Sequence, residues 1–155
     1  MLWQDVTFSE LDADTLYDIL KLRVDIFVVE QECAYPELDD KDRDAHTRHL
    51  LGRDDSGFLI AYCRILAPAM SYPEASIGRV AVAKSGRGKG LARELMQRAL
   101  TVTLAAWPSA GIQIGAQQYL VNFYQHLGFT PCSDMYLEDG IPHVDMRFIP
   151  VELPS

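Results

Sequence analysis

Arg87-Gly88-Lys89-Gly90-Leu91-Ala92 stands between an apolar, β-rich run, Ile77 to Val82, and an amphipathic run, Leu91 to Trp107. In the second run Leu91, Leu95, Ala99 and Val102 recur at helical spacing. A glycine-rich turn between a strand and a helix exposes backbone N–H groups that have no partner within the helix. With the positive end of the helix dipole, they favour an anion, above all a phosphate. The stretch therefore predicts a strand–loop–helix unit that holds a phosphorylated ligand.

Upstream, Leu2 to Phe8 reads as a first strand. Asp12 or Asp14 can cap a helix whose apolar face is Leu16, Ile19, Leu20, Val24 and Phe27. Pro36 ends any helix before it. The stretch Glu37 to Asp44 is acidic, and two readings stand: a solvated surface, or an attractor for a cationic acceptor. His46 to Gly52 and Phe58 to Leu66 form a hairpin through Asp54-Asp55-Ser56-Gly57. Pro68 to Glu74 is a loop. Ile77 to Val82 changes its inward parity at Gly78, which predicts a bulge there.

Downstream, Pro108 to Gly111 turns the chain, and Ile112 to Ala116 is a short strand. Leu120, Phe123, Tyr124 and Leu127 make one face of a last helix, stopped by Gly128 with Phe129 beyond it. Two final strands follow, Cys132 to Leu137 and His143 to Pro150. The hairpin imposes antiparallel pairing, and the βαβ unit around the glycine loop imposes a parallel pair. The expected fold is α/β (α+β), a mixed sheet with helices on its faces.

A chain of 155 residues suits one domain over 1–155, with one core. With 48% apolar and 23% charged residues it has the composition of a globular protein. No apolar run reaches the roughly 18–20 residues that span a bilayer. Met1-Leu2-Trp3-Gln4-Asp5 does not start a signal peptide, so a cytoplasmic location and no membrane partner are expected. The net charge of −8 argues against nucleic acid and is compatible with a cationic partner. Cys33, Cys63 and Cys132 are an odd set without CxxC spacing, which predicts reduced thiols and no metal site.

Three phosphate loops compete for the glycine stretch. A Walker A loop needs GK followed by Ser or Thr, and Gly88-Lys89-Gly90 lacks that hydroxyl. A dinucleotide fingerprint needs GxGxxG after the first strand of a βαβ unit, whereas Gly86, Gly88 and Gly90 alternate. The third pattern, R-x-x-G-x-[GA], is met by Arg87, Gly90 and Ala92.

With that loop, the strand end Val80-x-Val82 and the downstream Leu120-x-x-Phe123-Tyr124-x-x-x-Gly128-Phe129, nearly the whole chain resembles the GNAT superfamily of acyl-CoA-dependent N-acyltransferases. Leu22 to Gln31, Glu37-Leu38-Asp39 and Tyr136 to His143 resemble its ElaA-type subfamily. The resemblance implies a mostly antiparallel sheet of six to seven strands, with a splayed parallel pair and helices on both faces. It also implies acetyl-CoA as co-substrate and a small-molecule or peptide amine as acceptor, and it points to a homodimer.

Residue by residue, the resemblance implies that the backbone of Arg87, Gly88, Lys89, Gly90, Leu91 and Ala92 grips the CoA pyrophosphate. Val80, Ala81 and Val82 would lie along the pantetheine arm, with an N–H near Val80 on the thioester oxygen. Tyr124 would protonate the departing thiolate, although it also falls on the apolar helix stripe. Gln117 departs from the Asn that many members place against CoA. Gln31 and Glu138 would touch the acceptor. A lysine-like amine is neutral about once in 2,500 molecules at pH 7, a deficit of roughly 4.6 kcal/mol, so a base helps. Glu30, Glu138, His143 and an ordered water are the candidates; His46, His49 and His126 read as structural. A CoA-binding module without turnover is the alternative to an enzyme.

Overall fold

The computed structural model describes residues 1–148, so the far end of the last expected strand, Pro150, lies outside the described residues. The elements are β1 (Leu2–Thr7), α1 (Ala13–Arg23), β2 (Arg48–Arg53), β3 (Leu59–Leu66), β4 (Ser76–Val82), α2 (Leu91–Ala106), β5 (Ile112–Gln117), α3 (Val121–His126), β6 (Phe129–Pro131), β7 (Tyr136–Glu138) and β8 (Ile141–Phe148).

They form two antiparallel sheets, β1-β2-β3-β4 and β5-β8-β6, with β7 also paired to β8. The sheets meet where Ala75 bridges Ile112 in parallel, the Gln113 N–H donating to the Ala75 carbonyl at 2.9 Å. Beyond that bridge, among the described residues, β4 pairs only with β3, and β5 only with β8. The expected parallel pair is thus joined at one end and splayed along the rest, leaving a V between β4 and β5. Alternation along β3 places helices on both faces of the first sheet. Ala61, Cys63 and Ile65 belong to the core with Leu91, Leu95 and Ala99 of α2, while Tyr62 belongs with Ile19 and Leu22 of α1.

Of three local expectations one is resolved and two change. Asp12 is the residue that caps α1, accepting from the Thr15 N–H at 2.7 Å. After Arg23 the helix widens into a π-helical segment, Val24–Glu30. The Gln31 N–H then donates to the Ile26 carbonyl, five residues back, instead of four. The buried face is Ile19, Leu22, Arg23 and Ile26, at ordinary helical spacing, in place of the expected Leu20 and Val24, of which Leu20 is half-buried and Val24 exposed. The bulge in β4 lies one step later than Gly78. Gly78 pairs with Arg64 and Ala81 with Tyr62, so Arg79 and Val80 together oppose Cys63. Arg79 carries the left-handed φ, +51°.

Of the expected strand Cys132 to Leu137 only Tyr136 and Leu137 are strand, in β7, and a further short strand, β6, lies before it at Phe129–Pro131. Between them Ser133 Oγ accepts from the Asp145 N–H at 2.9 Å, a side chain taking the place of a ladder carbonyl. The additional β6 brings the number of strands among the described residues to eight. The β7–β8 hairpin turns through Asp139 and Gly140, both at positive φ, as a two-residue turn matched to strand twist requires.

The acidic stretch Glu37 to Asp44 is solvated only in part: Leu38, Asp40 and Arg43 are exposed, and Glu37, Asp39 and Asp42 turn inward. Glu37 and Asp42 are each 5% exposed. The buried Arg23 donates to Glu37 Oε1 and to Asp42 Oδ1, both at 2.7 Å. Arg64 donates to Asp39 at 2.7 and 2.8 Å, and Arg79 donates to Glu37 Oε1 at 2.8 Å. Three arginines therefore neutralise the three carboxylates from within the fold. Burial raises the pKa of Asp39, but Arg64 and Arg79 outweigh it and hold the carboxyl at about 2. His49, beneath this network, bonds the Tyr62 hydroxyl at 2.7 Å, and burial pulls its pKa down, which keeps it neutral.

Candidate functional site

The V between β4 and β5 opens into a cleft of about 750 Å³ that brings together residues from most of the chain. That volume is in the range of small-molecule sites. Val80 and Val82 line it from β4, Gln117 from β5, and Arg87 and Ala92 from the glycine turn. Glu30 and Gln31 line it from the end of the π-helical segment, Tyr124 from α3, and Glu138 and His143 from the last hairpin.

The remaining expected residues stand elsewhere. Ala81 packs against α1 and Leu91 lies in the main core. Gly88, Lys89 and Gly90 form the turn at the open end of the V and do not line the cleft. Only the backbone of these five is available to a ligand, apart from the exposed Lys89 side chain.

The turn has the properties of an anion cradle. Gly90 is the N-cap of the 16-residue α2 at φ +75°, and no side chain caps that end. Its first N–H groups therefore lack an intrahelical or side-chain cap partner. A Cβ at Gly88 or Gly90 would meet nothing within 4 Å, so the backbone there is open to approach. In a chain of net charge −8, Lys84 to Arg93 carry four basic side chains and no acidic one. That local charge reversal is a sequence signal for phosphate that motif matching passes over.

Two contacts cross the cleft from the π-helical segment. Arg87 donates to both Glu30 oxygens, at 2.8 and 2.9 Å. Gln117 Nε2 donates to Gln31 Oε1 at 3.2 Å. The Arg87 hydrogen bonds and charge lower the Glu30 pKa, against a small opposing burial effect. Glu30 is thus a paired carboxylate and a poor proton acceptor.

Glu138 and His143 form a different kind of pair. His143 Nδ1 lies 2.7 Å from the Ile141 carbonyl, which can only accept, so that nitrogen carries the hydrogen. Nε2 then holds the free lone pair, 3.4 Å from Glu138 Oε2. A proton taken up by Nε2 meets a carboxylate.

Tyr124 is 7% exposed, and its ring meets Phe123 and Phe129 edge-on. Burial pushes the phenol pKa well up, so the hydroxyl stays protonated at neutral pH. It is both a core residue and a cleft residue.

Sequence reading missed the groups at the closed end of the V. Tyr35, Asp39, Arg64, Tyr72, Arg79 and Gly115 also line the cleft. The Tyr72 and Tyr136 hydroxyls both donate to Asp145 Oδ1, at 3.3 and 2.6 Å. A Cβ on Gly115 would lie 2.9 Å from the Tyr136 oxygen and 3.2 Å from that of Tyr72, so glycine makes this arrangement possible. These groups come from loops and strands far apart in sequence, and no local pattern marks them.

Comparison with known proteins agrees with this geometry. Residues 28–150 match the model of the acetyltransferase (GNAT) domain. Protein ElaA of Escherichia coli is 43% identical over 145 residues, 93% of this chain and 94% of ElaA. The crystal structure of Escherichia coli ElaA superposes with a TM-score of 0.89 at 40% identity, covering 96% of this chain and all (100%) of that one. An acyl-CoA N-acyltransferase from Pseudomonas aeruginosa superposes with a TM-score of 0.90 at 38% identity, over 96% of this chain and 99% of that one.

Proposed function

The chain belongs to the GNAT acetyltransferase family, and from that membership we propose that it moves an acyl group, acetyl first among them, from an acyl-CoA to a primary amine by direct attack. The observation that carries this reading is the V between β4 and β5. It is closed at Ala75–Ile112 and open toward an uncapped helix N-terminus in a basic stretch. The residues fit an acyl-CoA. Gly88, Gly90, Leu91 and Ala92 hold the pyrophosphate by backbone N–H groups, with Arg87 and Lys89 adding charge. Val80 to Val82 offer backbone to the pantetheine amides. Acyl-CoA, when bound, supplies an activated thioester.

The protein's part is to orient that thioester and manage protons. The acceptor ammonium gives up one proton before attack and a second as the amide forms, and the sulfur takes one up as the C–S bond breaks. Of the candidate bases, Glu30 is neutralised by Arg87, which leaves the His143–Glu138 pair: Nε2 accepts the proton and Glu138 balances the imidazolium. Tyr124 faces the leaving sulfur. Full proton transfer from a phenol above its ordinary pKa of ~10 to a thiolate of pKa ~8.5 runs uphill by at least about 2 kcal/mol. Tyr124 therefore stabilises the sulfur as a hydrogen-bond donor, and solvent supplies the final proton.

One observation favours a second reading, a CoA-binding module without turnover: Gln117 and Arg87 are already bonded across the cleft to Gln31 and Glu30. Release of free thiol from acetyl-CoA with a panel of amines, polyamines and peptides separates the two. Thiol release dependent on an amine supports the enzyme. Tight acetyl-CoA binding without release from any acceptor supports the binding module.

A further inference from the structure

Arg79 is a residue in a conformation that its own chemistry does not favour. An L side chain at φ +51° is strained, and the neighbouring Gly78 does not take the left-handed position. Something outside β4 holds Arg79 there. Its Nε donates to Glu37 Oε1 at 2.8 Å, and one terminal nitrogen donates to the Glu37 carbonyl at 3.3 Å. Asp39 Oδ2 lies 3.6 Å away, and the guanidinium sits 5.8 Å from the centre of the Tyr35 ring.

This clamp is itself anchored. Glu37 also accepts from Nε of the fully buried Arg23 at 2.7 Å, and from the Tyr35 hydroxyl. Two arginines from separate elements thus converge on one buried carboxylate, and the strained residue is one of them. The segment Tyr35 to Asp39 fastens the β4 bulge to α1.

The bulge contains Val80, the residue whose backbone the acyl-CoA reading sets beside the thioester. Resting on that reading, we propose that Arg79 is a positioning residue: the Glu37–Tyr35–Asp39 clamp on its guanidinium holds the left-handed bulge and so fixes the Val80 backbone against the acyl group. Arg79 then acts through the peptide that follows it and needs no contact with substrate. The strain is stored locally at the site and balanced by ion pairs with a segment some 40 residues upstream, as the Glu37–Arg79 separation of 42 shows.

Glycine and alanine separate this role from a direct one. Both remove the clamp, but glycine adopts φ +51° without strain and alanine does not. Arg79→Ala is expected to lower kcat for thiol release by roughly ten- to a hundredfold, with the KM for acetyl-CoA within about threefold. Arg79→Gly is expected to recover most of that loss. Amide hydrogen exchange at Val80 and Ala81 is expected to quicken in Arg79→Ala more than in Arg79→Gly. An unchanged kcat in Arg79→Ala overturns the proposal. So does an Arg79→Gly variant as slow as Arg79→Ala, because the guanidinium itself would then be required, for instance by the acceptor. If the wild-type protein releases no thiol with any amine, the acyl-transfer reading fails by itself. The clamp is then judged on exchange alone, and unchanged protection at Val80 in Arg79→Ala rejects it.

Discussion

On the acyl-CoA reading, Lys84 to Ala92, consecutive in the chain, build the donor end at the mouth of the cleft mainly from backbone. The rest of the cleft, taken on that reading as the acceptor end, is built from side chains scattered along the chain, among them Tyr35, Arg64, Tyr72, Glu138 and His143. The first end depends on local conformation: two glycines at positive φ and an uncapped helix. The second depends on long-range ion pairs and hydrogen bonds that exist only once the sheets have met. Damage at the donor end should therefore cost binding while sparing the fold, and damage beneath the acceptor end should cost the fold itself.

The largest expected effect tests the second half of that contrast. Arg23→Ala leaves Glu37 and Asp42 buried with one cation fewer, and removing one partner of such a network costs about 3–5 kcal/mol. Denaturant unfolding measures it; a loss below about 1 kcal/mol would show that the network contributes little. The same network sets an acid limit. The Asp39 pKa is depressed to about 2 in the folded state, so its stabilisation is complete above the ordinary carboxylate range near 4. It is lost as the pH falls from about 4 toward 2. Thermal melts across that window should fall more steeply for the wild type than for Asp39→Asn.

At the donor end, Gly90→Val places a branched side chain at φ +75° in the cradle. CoA affinity should fall by on the order of 10²-fold or more: the strain at positive φ reshapes the turn itself, while a Cβ that meets no neighbour leaves the packing of the rest of the fold in place. Calorimetry decides; unchanged affinity would remove the phosphate assignment. Tyr124→Phe sits between the two ends. Loss of its hydrogen bond to the sulfur should lower turnover by roughly 10²-fold with CoA affinity unchanged, and wild-type turnover would make Tyr124 a core residue only.

The smallest effect concerns the contact that joins the two ends. Glu30→Gln frees Arg87 from an exposed ion pair, which contributes at most about 1 kcal/mol. CoA should bind a few-fold more tightly. Weaker binding would mean that Glu30 orients Arg87 toward the ligand.

The same contrast explains what could be read from sequence. The glycine turn, the hairpin at Asp54–Gly57 and the α2 stripe are local patterns, and their elements lie where those patterns place them. The buried face of the first helix runs Ile19, Leu22, Arg23, Ile26, and the charge within it makes the neighbouring Leu16–Leu20–Val24 row look the more apolar. Arg23 itself falls on the buried stripe, a charge where an apolar residue is expected, and this was the available sign of a buried network. The acidic stretch admits two readings in sequence, a solvated surface or an attractor for a cation, because its arginine partners are 14 to 42 residues away. Cys132 to Met135 is not strand as expected: there the Ser133 hydroxyl accepts from the Asp145 N–H, a contact that no pattern of alternation can show. Tyr72, Tyr136 and Asp145 meet over Gly115, and none of the four is near another in sequence except the last hairpin pair.

The central claim is that acyl-CoA lies in the V with its phosphates on the glycine turn. A titration with CoA followed by backbone amide chemical shifts tests it most directly. The account predicts the largest changes at Gly88, Gly90, Leu91 and Ala92, then at Val80 to Val82 and Gln117, and none along β1. Binding that leaves the glycine-turn amides unmoved would contradict it.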